Sequence, residues 1–253
     1  MKTVVIVDNN TLIDAYYLGE PALCFYIEDM EHKILFDTGY SAIFLKNLTM
    51  MGIDPQGIDT IVLSHGHNDH TGGLRYARQL SQPITLYGHC DVFNYKEYKK
   101  LPVSSPITKL PANYQLSLQK GVQQIGEHFF FLGEIPRLYQ EVEPLENDYL
   151  YDDSALVYQD EQGIAIFTGC SHSGIINIIE YAKTVTGETK VRLVMGGFHL
   201  QNDPIATAKV ADYFASMPDT ILYPCHCTDL AAKIALAKAN NVKEIGVSST
   251  IVI

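Results

Sequence analysis

The sequence lacks a basic stripe: lysine and arginine together number 18, against 29 aspartate and glutamate residues. The net charge is −11, and Lys99 and Lys100 form only a local cationic pair. Proteins that bind nucleic acid neutralise phosphates with clustered cations. We therefore expect no nucleic-acid partner, although a small anionic ligand could still enter a pocket that a metal ion makes locally positive.

The sequence also lacks a hydrophobic run long enough for a membrane helix, and it lacks a secretory signal. The first ten residues, MKTVVIVDNN, hold one lysine and a short apolar run, which predicts a first strand. The five cysteines are odd in number and irregular in spacing, a pattern that favours reduced thiols over a disulfide framework. We expect a soluble, cytoplasmic protein with no membrane partner.

What is present is an ordinary globular composition, with 47% hydrophobic and 19% charged residues. A chain of 253 residues buries roughly three quarters of its unfolded surface and needs no disulfide for stability. We expect a single domain over residues 1–253.

Alternating apolar runs and turn sequences predict a repeated order of strand, polar turn and helix. The predicted strands cover 22–27, 33–36, 60–63, 83–86, 129–132, 155–158, 164–167, 191–195 and 220–223. The predicted helices cover 41–51, 74–80, 175–185, 204–216 and 230–239. We expect an irregular excursion from Tyr95 to about Pro111, and a loop from Gln140 to Asp153 that serves as a lid or pocket wall.

Four of the polar turns that follow predicted strands carry histidine. They are residues 65–70, 169–174, 196–199 and 224–227. Because α/β sheets place their active sites beyond the carboxyl ends of strands, this pattern predicts one histidine-rich site.

The densest of these turns is His65-Gly66-His67-Asn68-Asp69-His70. Three histidines and an aspartate lie within six residues, which is improbable for a loop that only caps the next helix. Imidazole and carboxylate are ligands for zinc, iron or manganese. The segment therefore predicts a site for one or two metal ions, with zinc expected first and iron or manganese as alternatives.

The segment Leu63–Gly73 resembles the HxHxDH signature of the metallo-β-lactamase superfamily. The resemblance extends upstream to Phe36-Asp37-Thr38-Gly39 and downstream to Pro224-Cys225-His226-Cys227, so it covers nearly the whole chain. The segments 169–174 and 196–200, together with the Cys-His-Cys segment, are similar to the branch of dihydropterin ribofuranosylaminobenzene phosphate synthases.

The resemblance implies an α/β fold of the αββα type, a four-layer sandwich with two mixed sheets face to face. It implies that His65 and His67 hold one metal with a third ligand, and that Asp69, His70 and His226 hold a second. Members usually place a bridging aspartate in a Thr-Gly-Asp turn, where this chain has Thr168-Gly169-Cys170. We expect His172 to complete the first site, and Cys170 to be either a thiolate ligand or a small buried hydrophobe.

The remaining candidates have supporting roles. His199 could contact the substrate or a metal, or it could be a hydrogen-bonded structural histidine. Asp152 and Asp153 could orient a ligand imidazole, and Asp37 is expected to order its own turn and support the metal loop. Cys225 and Cys227 are expected to point away into packing, because adjacent strand residues alternate between faces.

Four functions fit these features. The first is a hydrolase that uses a metal-bound hydroxide on a small ester, lactone, thioester or phosphoester, with Asp69 as the catalytic residue that holds or shuttles a proton. The second, implied by the branch, is a transferase that condenses a pterin diphosphate with an aminobenzene ribofuranosyl phosphate. The others are an iron-dependent redox enzyme and a binding protein that a metal stabilises. The expected partner is a small, possibly anionic substrate, and the sequence leaves the oligomeric state open.

Overall fold

The computed structural model describes residues 1–80, 83–107, 114–140 and 149–253. Its internal contacts divide the chain into two compact units: unit 1 is residues 1–120 with 245–253, and unit 2 is residues 121–244. Each unit contains one seven-stranded sheet and its own hydrophobic core. The single domain over 1–253 stays a prediction.

Strands are the most frequent elements of the described chain, and α-helices separate some of them. In chain order the strands are β1 (Lys2–Val7), β2 (Cys24–Glu28), β3 (Lys33–Phe36), β4 (Thr60–Val62), β5 (Ile84–Gly88), β6 (Glu97–Tyr98), β7 (Leu101–Pro102), β8 (Tyr114–Leu118), β9 (Gln123–Ile125), β10 (Phe129–Phe131), β11 (Ala155–Asp160), β12 (Gly163–Thr168), β13 (Val191–Gly196), β14 (Ile221–Pro224), β15 (Asn241–Val242) and β16 (Thr250–Val252). The α-helices are α1 (Ile43–Met50), α2 (Asn68–Thr71), α3 (Ile175–Thr186), α4 (Pro204–Ala215) and α5 (Leu230–Ala237).

In unit 1 the sheet order is β16-β1-β2-β3-β4-β5-β8. The pairs from β16 to β3 are antiparallel, whereas β3, β4, β5 and β8 run parallel. All three residues of β4 are buried, as expected for a central parallel strand. The ends of β3 and β4 lie side by side, because Phe36 pairs with Val62. This register places the turns after Phe36 and Val62 next to each other.

In unit 2 the sheet order is β15-β14-β13-β12-β11-β10-β9. Here β9 to β12 pair antiparallel and β12 to β15 pair parallel. Thr168 at the end of β12 pairs with Gly196 at the end of β13, which in turn pairs with Pro224 at the end of β14. Three of the polar turns that carry histidine therefore leave the sheet at the same edge.

The helices of unit 2 have clear start and stop signals. Asp203 and Asp229 are the N-caps of α4 and α5, and their carboxylates accept backbone N–H bonds of the first turn. Pro204 occupies the first position of α4, and α3 ends at Gly187 in the left-handed conformation. These signals explain why the predicted helices are found close to their expected bounds.

The structure corrects two sequence-based expectations. The helix predicted over 74–80 is absent; two 3₁₀ turns, Gly72–Arg75 and Ala77–Gln79, stand there. Gly72 and Gly73 are poor helix formers, and Arg75 Nε donates to the Gly72 carbonyl, which tightens the turn. The excursion expected from Tyr95 to about Pro111 contains the hairpin of β6 and β7.

Part of each predicted loop lies outside the described residues, namely 108–111 of the 95–111 excursion and 141–148 of the 140–153 lid. The pattern also fails to predict β8 and β9, whose residues are partly polar and exposed. Within the part of the chain that the structure describes, no helix combines the length and apolar character needed to cross a bilayer.

Candidate metal centre

The candidate site in unit 1 is the loop of residues 65–70, called the metal loop below, which follows β4. Its neighbour is the turn after β3, where Asp37 adopts a positive φ of 60° and is fully buried. The Asp37 N–H donates to the Val62 carbonyl at 2.9 Å, so the two turns are joined at the sheet edge. A non-glycine residue in this conformation at a strand end is often found at functional sites.

The carboxylate of Asp37 organises the start of the metal loop. Ser64 N–H donates to Asp37 Oδ1 at 2.8 Å, and Ser64 Oγ donates to Asp37 Oδ2 at 2.7 Å. His70 Nδ1 lies 2.7 Å from the same Oδ2, with both side chains fully buried. A carboxylate that accepts from the Nδ1–H of an imidazole fixes the tautomer and leaves Nε2 as the ligand atom. The expected supporting role of Asp37 is therefore confirmed.

The imidazoles of the metal loop lie close together. His65 Nε2 is 3.0 Å from His67 Nδ1, and the ring centroids of His65 and His70 are 4.2 Å apart. Two nitrogens that are each bonded to one tetrahedral zinc ion at about 2.0–2.1 Å lie about 3.3 Å from each other. Ser64 Oγ lies 3.0 Å from His65 Nδ1, which directs the Nε2 of that ring towards His67. The pair therefore fits two ligands of one ion.

Asp69 and His70 form the second pair of candidate ligands. Asp69 Oδ2 lies 3.5 Å from His70 Nε2, and the Asp69 side chain is 20% exposed. The Thr38 N–H and Oγ1 both donate to the carbonyl of His70, at 2.8 and 3.0 Å, which fixes the backbone of the loop. The structure thus brings together the four predicted ligands of unit 1: His65, His67, Asp69 and His70.

The candidate site in unit 2 is built on the aligned ends of β12, β13 and β14. Gly197 N–H donates to the Gly169 carbonyl at 2.9 Å, and Ser171 Oγ donates to the Gly197 carbonyl at 2.6 Å. Cys225 N–H donates to the Gly196 carbonyl at 2.9 Å. These bonds join the three polar turns into one scaffold. Three non-glycine residues of the turns have positive φ: Ser171, His199 and His226, at 60°, 51° and 49°.

Two predicted site residues meet in this scaffold. The rings of His172 and His199 have centroids 4.4 Å apart, and His172 is 7% exposed. His226 lies half-buried in the turn after β14, and its charge contributes to lowering the pKa of Cys227. For the turns of unit 2 the structure thus shows an imidazole pair and a third imidazole nearby.

Cys227 is part of this cluster, so the expectation that it points away into packing is wrong. Its Sγ donates to the Cys170 carbonyl at 3.4 Å. Burial alone would raise the pKa of Cys227, but hydrogen bonds with Cys170 and His199 and the nearby imidazoles lower it well below its usual value. The strand alternation behind the expectation ends at Pro224, before Cys227 is reached. Cys225, by contrast, is fully buried as expected.

The pKa of His199 is shifted in the opposite direction, above its usual value. Burial alone would lower its pKa, but the hydrogen bond and charge of Cys227 and the charge of Asp153 raise it. Gly197 makes room for this pairing, because a Cβ there would lie 2.4 Å from Cys227 Sγ. The single signal in the sequence was the Gly196-Gly197 pair beside His199. We call Cys170, His172, His199 and Cys227 the second cluster.

Asp153 supports the second cluster through the backbone. Its Oδ2 accepts from Ser173 N–H at 2.8 Å and from Ser173 Oγ. Burial raises the pKa of Asp153 to about 6, although the bonds from Ser173 and His172 act in the opposite direction. The Asp153 carboxylate thus accepts from the backbone of Ser173 and His172 and from the Ser173 hydroxyl, rather than from an imidazole. This differs from the role expected for it, which was to orient a ligand ring.

Two mixed sheets, with imidazole and carboxylate groups gathered after their strand ends, define a candidate metalloprotein of mixed α/β fold. The chain belongs to the metallo-β-lactamase superfamily, whose sequence model matches residues 18–226. This confirms the family and the fold class that the sequence resemblance implied. Members of the superfamily generally bind metal ions and are mostly enzymes.

Relatives agree with this assignment. Uncharacterized protein MJ0448 of Methanocaldococcus jannaschii is 32% identical over 94% of both chains. The same organism's 7,8-dihydropterin-6-methyl-4-(beta-D-ribofuranosyl)-aminobenzene-5'-phosphate synthase is 29% identical over 79% of this chain and 78% of its own length. The crystal structure of Tm1679, described as a metal-dependent hydrolase of the beta-lactamase superfamily, superposes with a TM-score of 0.88. It is 24% identical and covers 100% of this chain and 99% of its own, a likeness that shows the fold.

Proposed function

We propose that this protein is a metal-dependent hydrolase of a small ester, lactone, thioester or phosphoester. The observation that carries the proposal is the 3.0 Å separation of His65 Nε2 and His67 Nδ1, beside an Asp37-oriented His70. Such a donor set fits zinc, with manganese or iron as alternatives. Family membership supports the enzyme class.

The proposed ligand sets follow the superfamily pattern. His65, His67 and His172 serve a first ion, while Asp69, His70 and His226 serve a second. When bound, the metal supplies Lewis acidity and lowers the pKa of a coordinated water to about 7. The geometry of the metal loop supports this division, since it holds His65 beside His67 and Asp69 beside His70.

The protein's own groups have distinct proposed roles. Asp69, which is 20% exposed, accepts the proton of the attacking water at its carboxylate. Ser64 and Asp37, both fully buried, keep the imidazoles of His65 and His70 in one orientation. His199 contacts the substrate from the second cluster, where it lies beside the ring of His172 and forms a hydrogen bond with Cys227.

The test compares metal-free protein with protein reconstituted with zinc, manganese or iron on a panel of esters, lactones, thioesters and phosphodiesters. We expect turnover only in a reconstituted form. His67→Ala should lose metal, measured by mass spectrometry, whereas His32→Ala should keep it, because His32 lies at the β2–β3 turn beside Asp59. Equal background turnover with and without metal would reject the hydrolase.

A second candidate is favoured by one observation, the 29% identity to the dihydropterin ribofuranosylaminobenzene phosphate synthase. In that case the protein condenses a pterin diphosphate with an aminobenzene ribofuranosyl phosphate, and the metal neutralises diphosphate. Calorimetry with a dihydropterin diphosphate would show binding for the transferase. If no heat of binding is measured at millimolar ligand while esterase activity is present, the transferase is excluded and the hydrolase is supported.

A further inference from the structure

We propose that the hairpin of β6 and β7 is an anion-binding finger, which holds a carboxylate or phosphate of the substrate beside the metal loop. The finger is defined as residues 97–102, with Lys99 and Lys100 at its tip. This inference rests on the proposed function for the identity of the substrate, and it names the substrate class as anionic.

The tip has an unusual conformation for its sequence. Glu97 pairs with Pro102 and Tyr98 pairs with Leu101, so Lys99 and Lys100 form a two-residue turn. Both have positive φ, at 50° and 65°. Such turns favour Asn-Gly, because two residues must adopt the left-handed region. Non-glycine residues that are held in the left-handed region occur often at functional positions.

The charges at the tip are available to a ligand. Lys99 and Lys100 are exposed, and neither forms an ion pair with a carboxylate among the described residues. The carboxylate of Glu97, which could have paired with them, instead accepts from Tyr95 Oη at 3.0 Å. Lys99 Nζ lies 4.9 Å from the centroid of the Tyr98 ring, a cation–π contact that limits its freedom. In a chain of net charge −11, this local pair of cations stands out.

The finger is joined firmly to the metal loop. Asn68 N–H donates to the Val103 carbonyl at 2.8 Å, and Ser105 N–H donates to the Gly66 carbonyl at 2.8 Å. His67 and Ser104 form an isolated antiparallel bridge. The chain therefore passes directly from the finger into backbone pairing with the candidate ligands.

The other end of the finger is also anchored beside the metal loop. Buried Lys96 donates from Nζ to the carbonyls of Asp91 and Asn94, at 3.2 and 3.5 Å. A Cβ on Gly66 would lie 1.9 Å from the Val92 carbonyl oxygen, so this turn rests directly on the loop. The finger is thus fixed on both sides.

The spacing sets the size of the ligand. Lys100 precedes Val103 by three residues, and an extended chain advances about 3.3 Å per residue. The Cα atom of Lys100 is therefore within about 10 Å of the Val103 backbone that pairs with the metal loop, and the flexible lysine side chain can reach back towards the loop. A substrate whose scissile bond lies at the metal loop can place an anionic group there when the two are separated by a linker of several atoms.

The test uses a variant that suits the turn but removes both charges, Lys99→Asn with Lys100→Gly. The control, Lys2→Gln with Lys46→Gln, removes two charges from exposed positions on β1 and α1 of the same unit. Substrates are the neutral 4-nitrophenyl acetate and the mono-4-nitrophenyl esters of four- to eight-carbon dicarboxylic acids, assayed with reconstituted protein at low salt.

We expect KM for the longer anionic esters to rise about ten-fold in the finger variant, since two charge interactions of surface strength are lost. KM for the acetate and the kcat of both should stay within about two-fold, and the control should match wild type. Equal KM changes for neutral and anionic esters, or no change for either, would overturn the finger. Unchanged or raised thermal stability of the variant excludes unfolding as the cause.

A binding measurement separates this inference from the hydrolase itself. Inorganic pyrophosphate is titrated into metal-free protein, and the backbone amide signals of residues 97–101 are followed by NMR. We expect shifts in wild type and in the control, and their loss in the finger variant. If these shifts occur but no ester is hydrolysed, anion binding by the finger is supported and the hydrolase is rejected. If the wild type shows no shifts, phosphate binding by the finger is rejected, even where esters are hydrolysed.

Discussion

The metal loop of unit 1 and the second cluster of unit 2 both hold histidines at parallel strand ends, but different groups hold them. In the metal loop the buried carboxylate of Asp37 contacts an imidazole directly, at 2.7 Å from His70 Nδ1. In the second cluster the buried carboxylate of Asp153 contacts Ser173, and the thiol of Cys227 contacts His199. The carboxylate of Asp37 thus orients an imidazole in the metal loop, whereas the backbone and the Cys227 thiol orient the imidazoles of the second cluster.

Two glycines, one in each region, differ in which atoms an added Cβ would meet. A Cβ on Gly66 would lie 1.9 Å from the carbonyl oxygen of Val92. A Cβ on Gly197 would lie 2.4 Å from Cys227 Sγ and 2.6 Å from the Gly169 carbonyl oxygen. At its closest point the Cβ on Gly66 would meet the main chain, whereas the Cβ on Gly197 would first meet a side chain. Gly66 therefore has less room than Gly197, although Gly196 of the same scaffold is packed as closely, with a Cβ 2.0 Å from the Thr168 carbonyl oxygen.

The largest effect that tests this difference is expected from Gly66→Ala. Because the Val92 carbonyl must move, we expect a loss of about 4 kcal/mol of unfolding free energy, at the upper end of single substitutions. Gly197→Ala should cost less, about 1–3 kcal/mol, because its closest contact is a side chain, although the Gly169 carbonyl oxygen at 2.6 Å must also move slightly. Chemical denaturation with tyrosine fluorescence measures both values.

Gly121→Ala is the matched control, since no atom lies within 4 Å of the added Cβ, and it should stay within about 0.5 kcal/mol of wild type. Equal losses at Gly66 and Gly197 would contradict the proposed difference in packing. So would a Gly66→Ala protein as stable as the Gly121→Ala control.

The same contrast explains what could be predicted from the sequence. The metal loop is contiguous, so the proximity of His65, His67, Asp69 and His70 could be predicted from spacing. The support from Asp37, which lies 27 residues before Ser64, was expected from a turn motif that resembles the superfamily. Helix positions could also be predicted where a capping residue marks an end of the apolar run, such as Asp229 before α5 and Gly187 after α3.

The second cluster could be predicted only in part. His172, His199 and Cys227 are far apart in sequence and meet because β12, β13 and β14 end in register. A period-two pattern carries no information about the turn after Pro224, so the contact of Cys227 with His199 had no local signal. The helix prediction over 74–80 was wrong for another reason. The turn that follows His70, and not helix propensity, determines the conformation of Gly72 and Gly73.

The next effect in size concerns the two carboxylates. Asp37→Asn should weaken metal binding about 10- to 100-fold, because the supporting acceptor for His70 Nδ1–H is replaced by a weaker one. Asp153→Asn should weaken it less, since an amide oxygen can still accept from the Ser173 backbone. Competition with a chromophoric zinc chelator measures both affinities.

Asp59→Asn is a suitable control, because Asp59 lies in unit 1 and accepts from Lys33 N–H and Thr60 Oγ1 rather than from the metal loop. A larger loss of affinity for Asp153→Asn than for Asp37→Asn would reverse the comparison. It would mean that the backbone of 172–173, and not the imidazole orientation in the metal loop, limits metal binding.

The smallest effect concerns the helices and sharpens the contrast between the units. In unit 2, Asp229 caps α5 by accepting from Ala232 N–H at 2.8 Å, and it also accepts from Asn202 N–H at 2.9 Å, three residues after His199. In unit 1, α1 begins at Ile43, and its N-cap residue, Ala42, provides no side-chain cap. We expect Asp229→Ala to cost about 1 kcal/mol at pH 7, the usual value of such a cap.

The pH dependence identifies the charge as the cause. The bond from Ala232, and after it that from Asn202, lower the pKa of Asp229 below its usual value. The stabilisation is therefore complete above the unfolded pKa of about 3.9, and it is lost as the pH falls through the lower folded value. The Asp229→Asn variant keeps a hydrogen-bond acceptor but lacks the charge. The difference in unfolding free energy between wild type and this variant should therefore decrease from pH 5 to pH 3, as measured by urea denaturation of metal-free protein. A gap that stays constant over this range would show that geometry, and not ionisation, makes Asp229 the link between α5 and the turn that carries His199.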